Sequence, residues 1–250
     1  MDITLTVILV CFVVFFIAGF VDAIAGGGGG LITMPVLLLL GIPAHYTLGT
    51  GKLASSLGSI TALITFWKRG AVIKEVVLLG VISSYFGAVI ASATTLLISN
   101  EKMTIIMIFL LPVAILLSLF CGTLKLTEED LPKKGLWWRV SAIGLSVGFY
   151  EGFFGPGAGS FFLIGIHLLL KAGLVKASGT AKAFNIAANL GAVTTFASAG
   201  TLYYSLALPC AVASILGNRL GAIYAVKIGP TLVRSMLYFV LVMLLISLIT

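Results

Sequence analysis

Two stretches of this chain, 3–21 and 76–98, run for about 20 residues without one charged side chain. That is the length of helix needed to cross the roughly 30 Å hydrocarbon core of a bilayer. Inside that core every backbone N–H and C=O must be bonded within the structure, and a helix does so within a single segment. The rest of the chain has the same character. Of its 250 residues 60% are hydrophobic and 9% charged, with a mean hydropathy of +1.21, whereas soluble domains carry roughly 25% charged residues. The chain reads as an all-α integral membrane protein with very little sequence left for a soluble domain.

Ten apolar segments can be marked: 3–25, 31–42, 48–67, 76–98, 103–121, 136–154, 159–170, 178–199, 205–226 and 231–249. The only long polar stretch, 122–135 (GTLKLTEEDLPKKG), separates five segments from five. Residues 1–121 and 136–250 are therefore read as two transmembrane repeats joined by a cytoplasmic linker. The second and seventh segments are short. As helices of about 12 residues they reach about 18 Å, so they are half-helices, re-entrant pieces, or spans assisted by neighbours.

The halves share more than a segment count. GFVDAIAGGGGG at 19–30 and GFYEGFFGPGAG at 148–159 have the same spacing: Gly-Phe, an acid two residues on (Asp22, Glu151), then glycines at alternate positions. LGTGK at 48–52 matches SGTAK at 178–182, Phe66 with Gly70 matches Phe196 with Gly200, and Gly87 matches Gly217. A duplicated hydrophobic segment, broken by glycine and bearing an acid, points to the binding site of a transporter built from repeats.

Loop charges set the relative orientation. KRGAVIK (68–74) is basic, while its counterpart GTLYY (200–204) is uncharged; the 41–47 loop lacks Lys and Arg, while its counterpart holds Lys171 and Lys176. Under the positive-inside rule 68–74, 122–135, 171–176 and 227–234 are cytoplasmic and both termini lie outside, Lys102 beside Glu101 being the exception. Five crossings per half invert the second repeat relative to the first. If segments 2 and 7 do not cross, the count becomes four plus four and the repeats run parallel; a re-entrant hairpin also changes it.

Gly26, Gly27, Gly28, Gly29 and Gly30 in one half, and Gly155, Gly157 and Gly159 in the other, each precede a short helical segment. A helix start offers unpaired N–H donors and a partial positive charge, and two facing starts make an anion site. The competing reading is that the glycines only allow close helix packing. Lys52 and Lys182 follow Thr50 and Thr180 a few residues into their segments. Lysines placed so deep face a cavity and add charge to the site, unless they snorkel to the interface. Beyond them lie Ser55, Ser56 and Ser59, matched by Asn185 and Asn189. Lys182, Asn185 and Asn189 share one helix face, which either lines a path or bonds a neighbouring helix. Asp22 and Glu151 are the carboxylates well inside apolar segments. They compete for three roles: proton carrier, lysine counter-ion, or polar cap facing water. Arg219 either snorkels or pairs with Glu151. His45 is expected in a loop, and His167 in the short seventh segment.

Several function classes fall away. The basic residues behind the net charge of +7 are scattered among short loops, which argues against a nucleic-acid partner and for topology determinants. Cys11, Cys121 and Cys210 form no redox or metal motif and read as packing residues. Ala23-Ile24-Ala25 imitates a signal cleavage site, but the N-terminus carries Asp2 and no basic residue, so segment 1 is read as a retained helix. Zincin, Gly-x-Ser-x-Gly and Cys–His patterns do not occur, so neither an enzyme nor a cofactor or metal site is expected. Trp67, Trp137, Trp138, Tyr203 and Tyr204 near segment ends suit an interfacial belt.

GFVDAIAGGGGGLITMP, then LGTGKLASSLGS, closely resembles the signature of the TauE/SafE membrane permeases, the sulfite exporter or toluene-sulfonate uptake family. The resemblance covers nearly the whole chain. It implies a plasma-membrane permease (inner membrane in a Gram-negative cell) for sulfur-containing anions such as sulfite, sulfoacetate and other organosulfonates. Gly51 departs from the family pattern, which often has Asn before the lysine, and this removes one hydrogen-bond donor. The expectation is thus a multi-pass secondary transporter whose partners are a small anion and the lipid bilayer. It works by alternating access, with Asp22 and Glu151 as candidates for proton coupling. A passive anion channel, a permease for another small anion, and a membrane scaffold are the alternatives.

Overall fold

The structure is a computed structural model. It describes residues 4–25, 29–119, 131–132 and 134–228, with backbone alone for 25 and 111–119. Over these residues it is all-helical: α1 (Leu5–Ala25), α2 (Gly29–Leu39), α3 (Ala44–Lys68), α4 (Lys74–Leu96), α5 (Asn100–Leu119), α6 (Leu136–Phe153), α7 (Ala158–Leu170), α8 (Leu174–Ser198) and α9 (Tyr204–Ile228). Nine of the ten expected segments are these helices. The tenth, 231–249, most of the linker, Cys121 and Gly26–Gly28 lie outside the described residues.

The turns follow from local chemistry. α2 ends where Gly41 adopts a left-handed φ of 77°, which lets the Ile42 N–H close back on the Leu37 carbonyl at 3.1 Å. Pro43, at φ −57°, then starts α3. This places His45 in the first turn of α3 rather than in a loop; it is buried, and its backbone N–H donates to Asn100 Oδ1 at 2.9 Å. Helices α3 and α8 end alike. The Ala71 N–H bonds the Phe66 carbonyl at 2.9 Å and the Thr201 N–H bonds the Phe196 carbonyl at 3.0 Å, each across a left-handed glycine, Gly70 or Gly200.

The halves are interlocked rather than side by side. α1 packs along α9 and α6 along α4; α3 lies against α8 and α9, and α4 against α8. Every one of these pairs joins the first half to the second. Close approach depends on small residues: a Cβ on Gly87 would stand 2.6 Å from the Leu145 carbonyl oxygen of α6, and one on Gly217 would strike the Phe16 carbonyl of α1. The matched glycines therefore do the same work at opposite interfaces.

Exposed apolar side chains mark the lipid face. Leu78, Ile82, Phe86 and Ile90 recur every four residues on α4, and Leu208, Val212, Leu216, Leu220 and Tyr224 do so on α9. By length and apolarity α1 (over Leu5–Ile24), α4 and α9 qualify as membrane spans. Helix α8 is as long as α9 but polar along its length, and every residue from Ala177 to Asn189 is buried. Its neighbours shield it from lipid, which is the condition for carrying lysine and asparagine at that depth. Helices α2 and α7, with 11 and 13 residues, reach only about 17 and 20 Å.

A central cavity with two exchanged ion pairs

Lys52 and Lys182 are buried, at 5% and 0% exposure, and neither snorkels. Each meets the acid of the other half. Lys52 Nζ lies 3.0 Å from Glu151 Oε1 and also donates to the Glu151 main-chain carbonyl. Lys182 Nζ pairs with Asp22 Oδ2. Each carboxylate is thus bonded to a lysine of the opposite half. Arg219 is exposed, and Glu151's cationic partner is Lys52. Desolvating charges is tolerated when they are paired and further hydrogen-bonded, and Glu151 meets both conditions: Asn185 Nδ2 donates to its Oε2 at 3.4 Å, and Asn189 Nδ2 donates to Asn185 Oδ1 at 3.1 Å.

Asp22, Lys52 and Glu151 border a half-open cavity. Of the residues marked in the sequence, Asp22, Gly30, Lys52, Ser55 and Glu151 line it, with Gly155, Gly157, Gly159, Asn185 and Asn189. Thr33, Thr47, Phe154 and Pro156 also line it and were not marked, because a threonine or an aromatic in an apolar helix carries no signal of its own. Lys182 is not part of the lining; Asp22 stands at the wall, and Lys182 is bonded to it. Gly29 is buried against the Asp22 side chain: a Cβ there would come within 3.2 Å of Asp22 Cβ.

The start of α2 and the turn before α7 meet. A Cβ on Gly30, in the first turn of α2, would lie 3.2 Å from Pro156 Cα in the turn before α7. That turn is built on left-handed glycines, Gly155 at φ 102° and Gly157 at φ 83°, and is tied by a 2.6 Å hydrogen bond from Tyr150 Oη to the Pro156 carbonyl. Gly155 is constrained twice, since a Cβ would also stand 2.7 Å from Lys52 Nζ.

Thr50 and Thr180 lie elsewhere. Thr50 Oγ1 accepts the Tyr203 N–H at 3.1 Å, and Thr180 Oγ1 accepts the Ile73 N–H at 3.0 Å. They hold the loops before α9 and α4, each in the opposite half. Ser56 returns its hydroxyl to the Lys52 carbonyl at 2.7 Å, and Ser59 is buried away from the cavity lining. His167 is buried, its Nδ1 2.6 Å from the Ala172 carbonyl. Cys11 and Cys210 are buried free thiols in one apolar cluster. Tyr203 stacks on Tyr46 at 4.3 Å, while Trp67, Trp137, Trp138 and Tyr204 are exposed.

A small side chamber also has Asp22 in its wall, with Gly29, Thr33, Ser55, Ser214 and Asn218. Asn218 was missed in the sequence, where it stands beside the more conspicuous Arg219.

The profile of the family described as "Sulfite exporter TauE/SafE" matches residues 11–248. A probable membrane transporter protein of Haemophilus influenzae is 36% identical over 94% of this chain and 92% of its own. The probable membrane transporter protein ORF9 of a Sinorhizobium species is 34% identical over 99% and 94%. The probable membrane transporter protein YfcA of Escherichia coli K12 is 34% identical over 92% and 85%. No solved structure matches the chain. With the profile spanning nearly the whole chain and these relatives aligned over most of their lengths, the chain belongs to the TauE/SafE family of membrane transporters.

Proposed function

We propose that this protein is a secondary transporter that moves a small sulfur-containing anion, sulfite or an organosulfonate, across the plasma membrane by alternating access. The observation that supports it most is the convergence on one cavity of two helix starts and two buried lysine–carboxylate pairs. First-turn N–H groups of α2 and α7 face the anion's oxygens, and Lys52 adds charge from the wall. Gly29 and Gly30 at the start of α2 and the turn 155–159 supply the donors, Ser55, Asn185 and Asn189 bond the remaining oxygens, and Thr50 and Thr180 serve packing. The helix starts and paired lysines favour a small anion, and the family description supports a sulfur oxyanion.

Charge balance leads to coupling. Two lysines and two carboxylates sum to zero, so an arriving anion leaves the low-dielectric site negative. A proton on Asp22 or Glu151 restores the balance and frees a lysine for the anion. The two repeats, inverted in the membrane with both termini outside, rock against each other about the cavity to expose it to either side.

The test is flux of 35S-sulfite and labelled organosulfonates in proteoliposomes, with and without a pH gradient. Saturable flux that a pH gradient accelerates is the expected result, with at least tenfold loss in Lys52→Ala. Unchanged sulfite and sulfonate flux in Lys52→Ala overturns the site assignment. Flux without saturation, insensitive to a proton gradient, makes the protein a channel.

A further inference from the structure

The two carboxylates have matched positions in sequence but unequal surroundings. Glu151 has both oxygens engaged, by Lys52 and by Asn185. Asp22 is bonded through Oδ2 to Lys182 and lines both the main cavity and the side chamber. Asn218, fully buried, shares the wall of that chamber with Asp22. Its Nδ2 donates to the Ser214 carbonyl at 3.0 Å and lies 3.2 Å from Ser214 Oγ, which fixes the amide's orientation. Its Oδ1 is buried with no hydrogen-bond partner among the described residues. A buried amide oxygen left unbonded is costly, and it is an acceptor awaiting a donor. The matched position in the other half is Ala88, so Glu151 has no equivalent.

We propose that Asp22 alone carries the transported proton, that Asn218 Oδ1 accepts the hydrogen bond of its protonated form, and that Glu151 remains the fixed counter-ion of Lys52. This deepens the proposed transport reading and rests on it. The step balances simply. A proton from water on one side adds to the Asp22 carboxylate, the new O–H donates to Asn218, and the Lys182 ammonium is released from its pairing toward the cavity. After reorientation the proton returns to water on the other side and the Asp22–Lys182 pair re-forms. The charged groups around Asp22 are Lys182 from α8, with Lys52 from α3 and Glu151 from α6 across the cavity. Arg219 and Lys227 of α9 are exposed, and His167 of α7 is bonded to the Ala172 carbonyl.

The test needs no substrate. An infrared pH titration of the full-length protein in lipid, followed by the carboxylic-acid C=O stretch, is expected to show a buried band that is absent in Asp22→Asn and kept in Glu151→Gln. Asn218→Ala is expected to move its midpoint toward acid by about one pH unit, the scale of one hydrogen bond to the neutral form, and Asn218→Ser, which restores an acceptor, to recover part of the shift. A band that survives in Asp22→Asn, or one lost in Glu151→Gln, overturns the assignment to Asp22. An unmoved midpoint in Asn218→Ala overturns the role of Asn218, and that variant decides the matter if Asp22→Asn does not fold. Absence of sulfite flux with the Asp22 band intact counts against the substrate reading and leaves this assignment standing.

Discussion

Glu151 shows how tightly a buried charge depends on its partner. It sits at 5% exposure with Lys52 against one carboxylate oxygen and Asn185 against the other. Removing one member of such a pair strands the other, at about 3–5 kcal/mol, whereas removing both is often nearly neutral. Lys52→Ala is therefore expected to lower folding stability by about 3–5 kcal/mol, and Lys52→Ala with Glu151→Gln to recover most of it, as read from thermal unfolding in detergent. A double variant no more stable than the single one contradicts the pairing. Gly155→Ala is a second case, because it forces a side chain into a left-handed backbone and against Lys52 Nζ. A strain of about 1–2 kcal/mol, with flux reduced at least tenfold, is the expected outcome in the proteoliposome assay. At this scale the sequence was partly legible. The depth of Lys52 and Asp22 in apolar segments marked them as constrained, but spacing alone did not say that Lys52 would meet Glu151 from another helix. Thr50 shows the limit from the other side. Its neighbour Lys52 suggested a ligand, and only tertiary packing shows the hydroxyl bonded to the backbone of Tyr203.

Helices meet here through glycine. Gly87 seats α4 on α6 and Gly217 seats α9 on α1. Helix association in lipid relies on such packing because the surrounding tails are as apolar as the helices. Gly87→Val and Gly217→Val are each expected to cost about 1–3 kcal/mol by overpacking, in similar amounts, since the two contacts are counterparts. A cost confined to one of them, measured by unfolding, contradicts the equivalence of the interfaces. The helices themselves were readable: long uncharged runs announced α1 and α4, and the glycine turns announced the short α2 and α7. Several helix starts were read late. The segment placed at 48–67 begins at Ala44, because Pro43 initiates the helix before hydrophobicity becomes continuous. Which faces pack together was legible only as matched glycines, since the partner residues Leu145 and Phe16 look like any other apolar residue.

At the scale of the whole molecule, hydropathy was enough to anticipate an all-helical membrane protein. It was not enough to show that each half packs chiefly on the other. The proposed membrane orientation is open to a direct check. Single cysteines at Thr4 and Gly70, in a background lacking Cys11, Cys121 and Cys210, are expected to react with a membrane-impermeant maleimide from opposite sides of intact cells, Thr4 from outside. Labelling of both from one side excludes the inverted arrangement. The exchanged pairs also bear on how the protein is made. Asp22 precedes its lysine by 160 residues and Lys52 precedes its glutamate by 99. At about 5–20 residues per second, the ribosome takes on the order of 10–30 s to deliver the partner of Asp22. For more than half of that interval the nascent first half holds both a carboxylate and an ammonium without their partners, so its insertion waits on the second half or on a chaperoning surface at the translocation machinery.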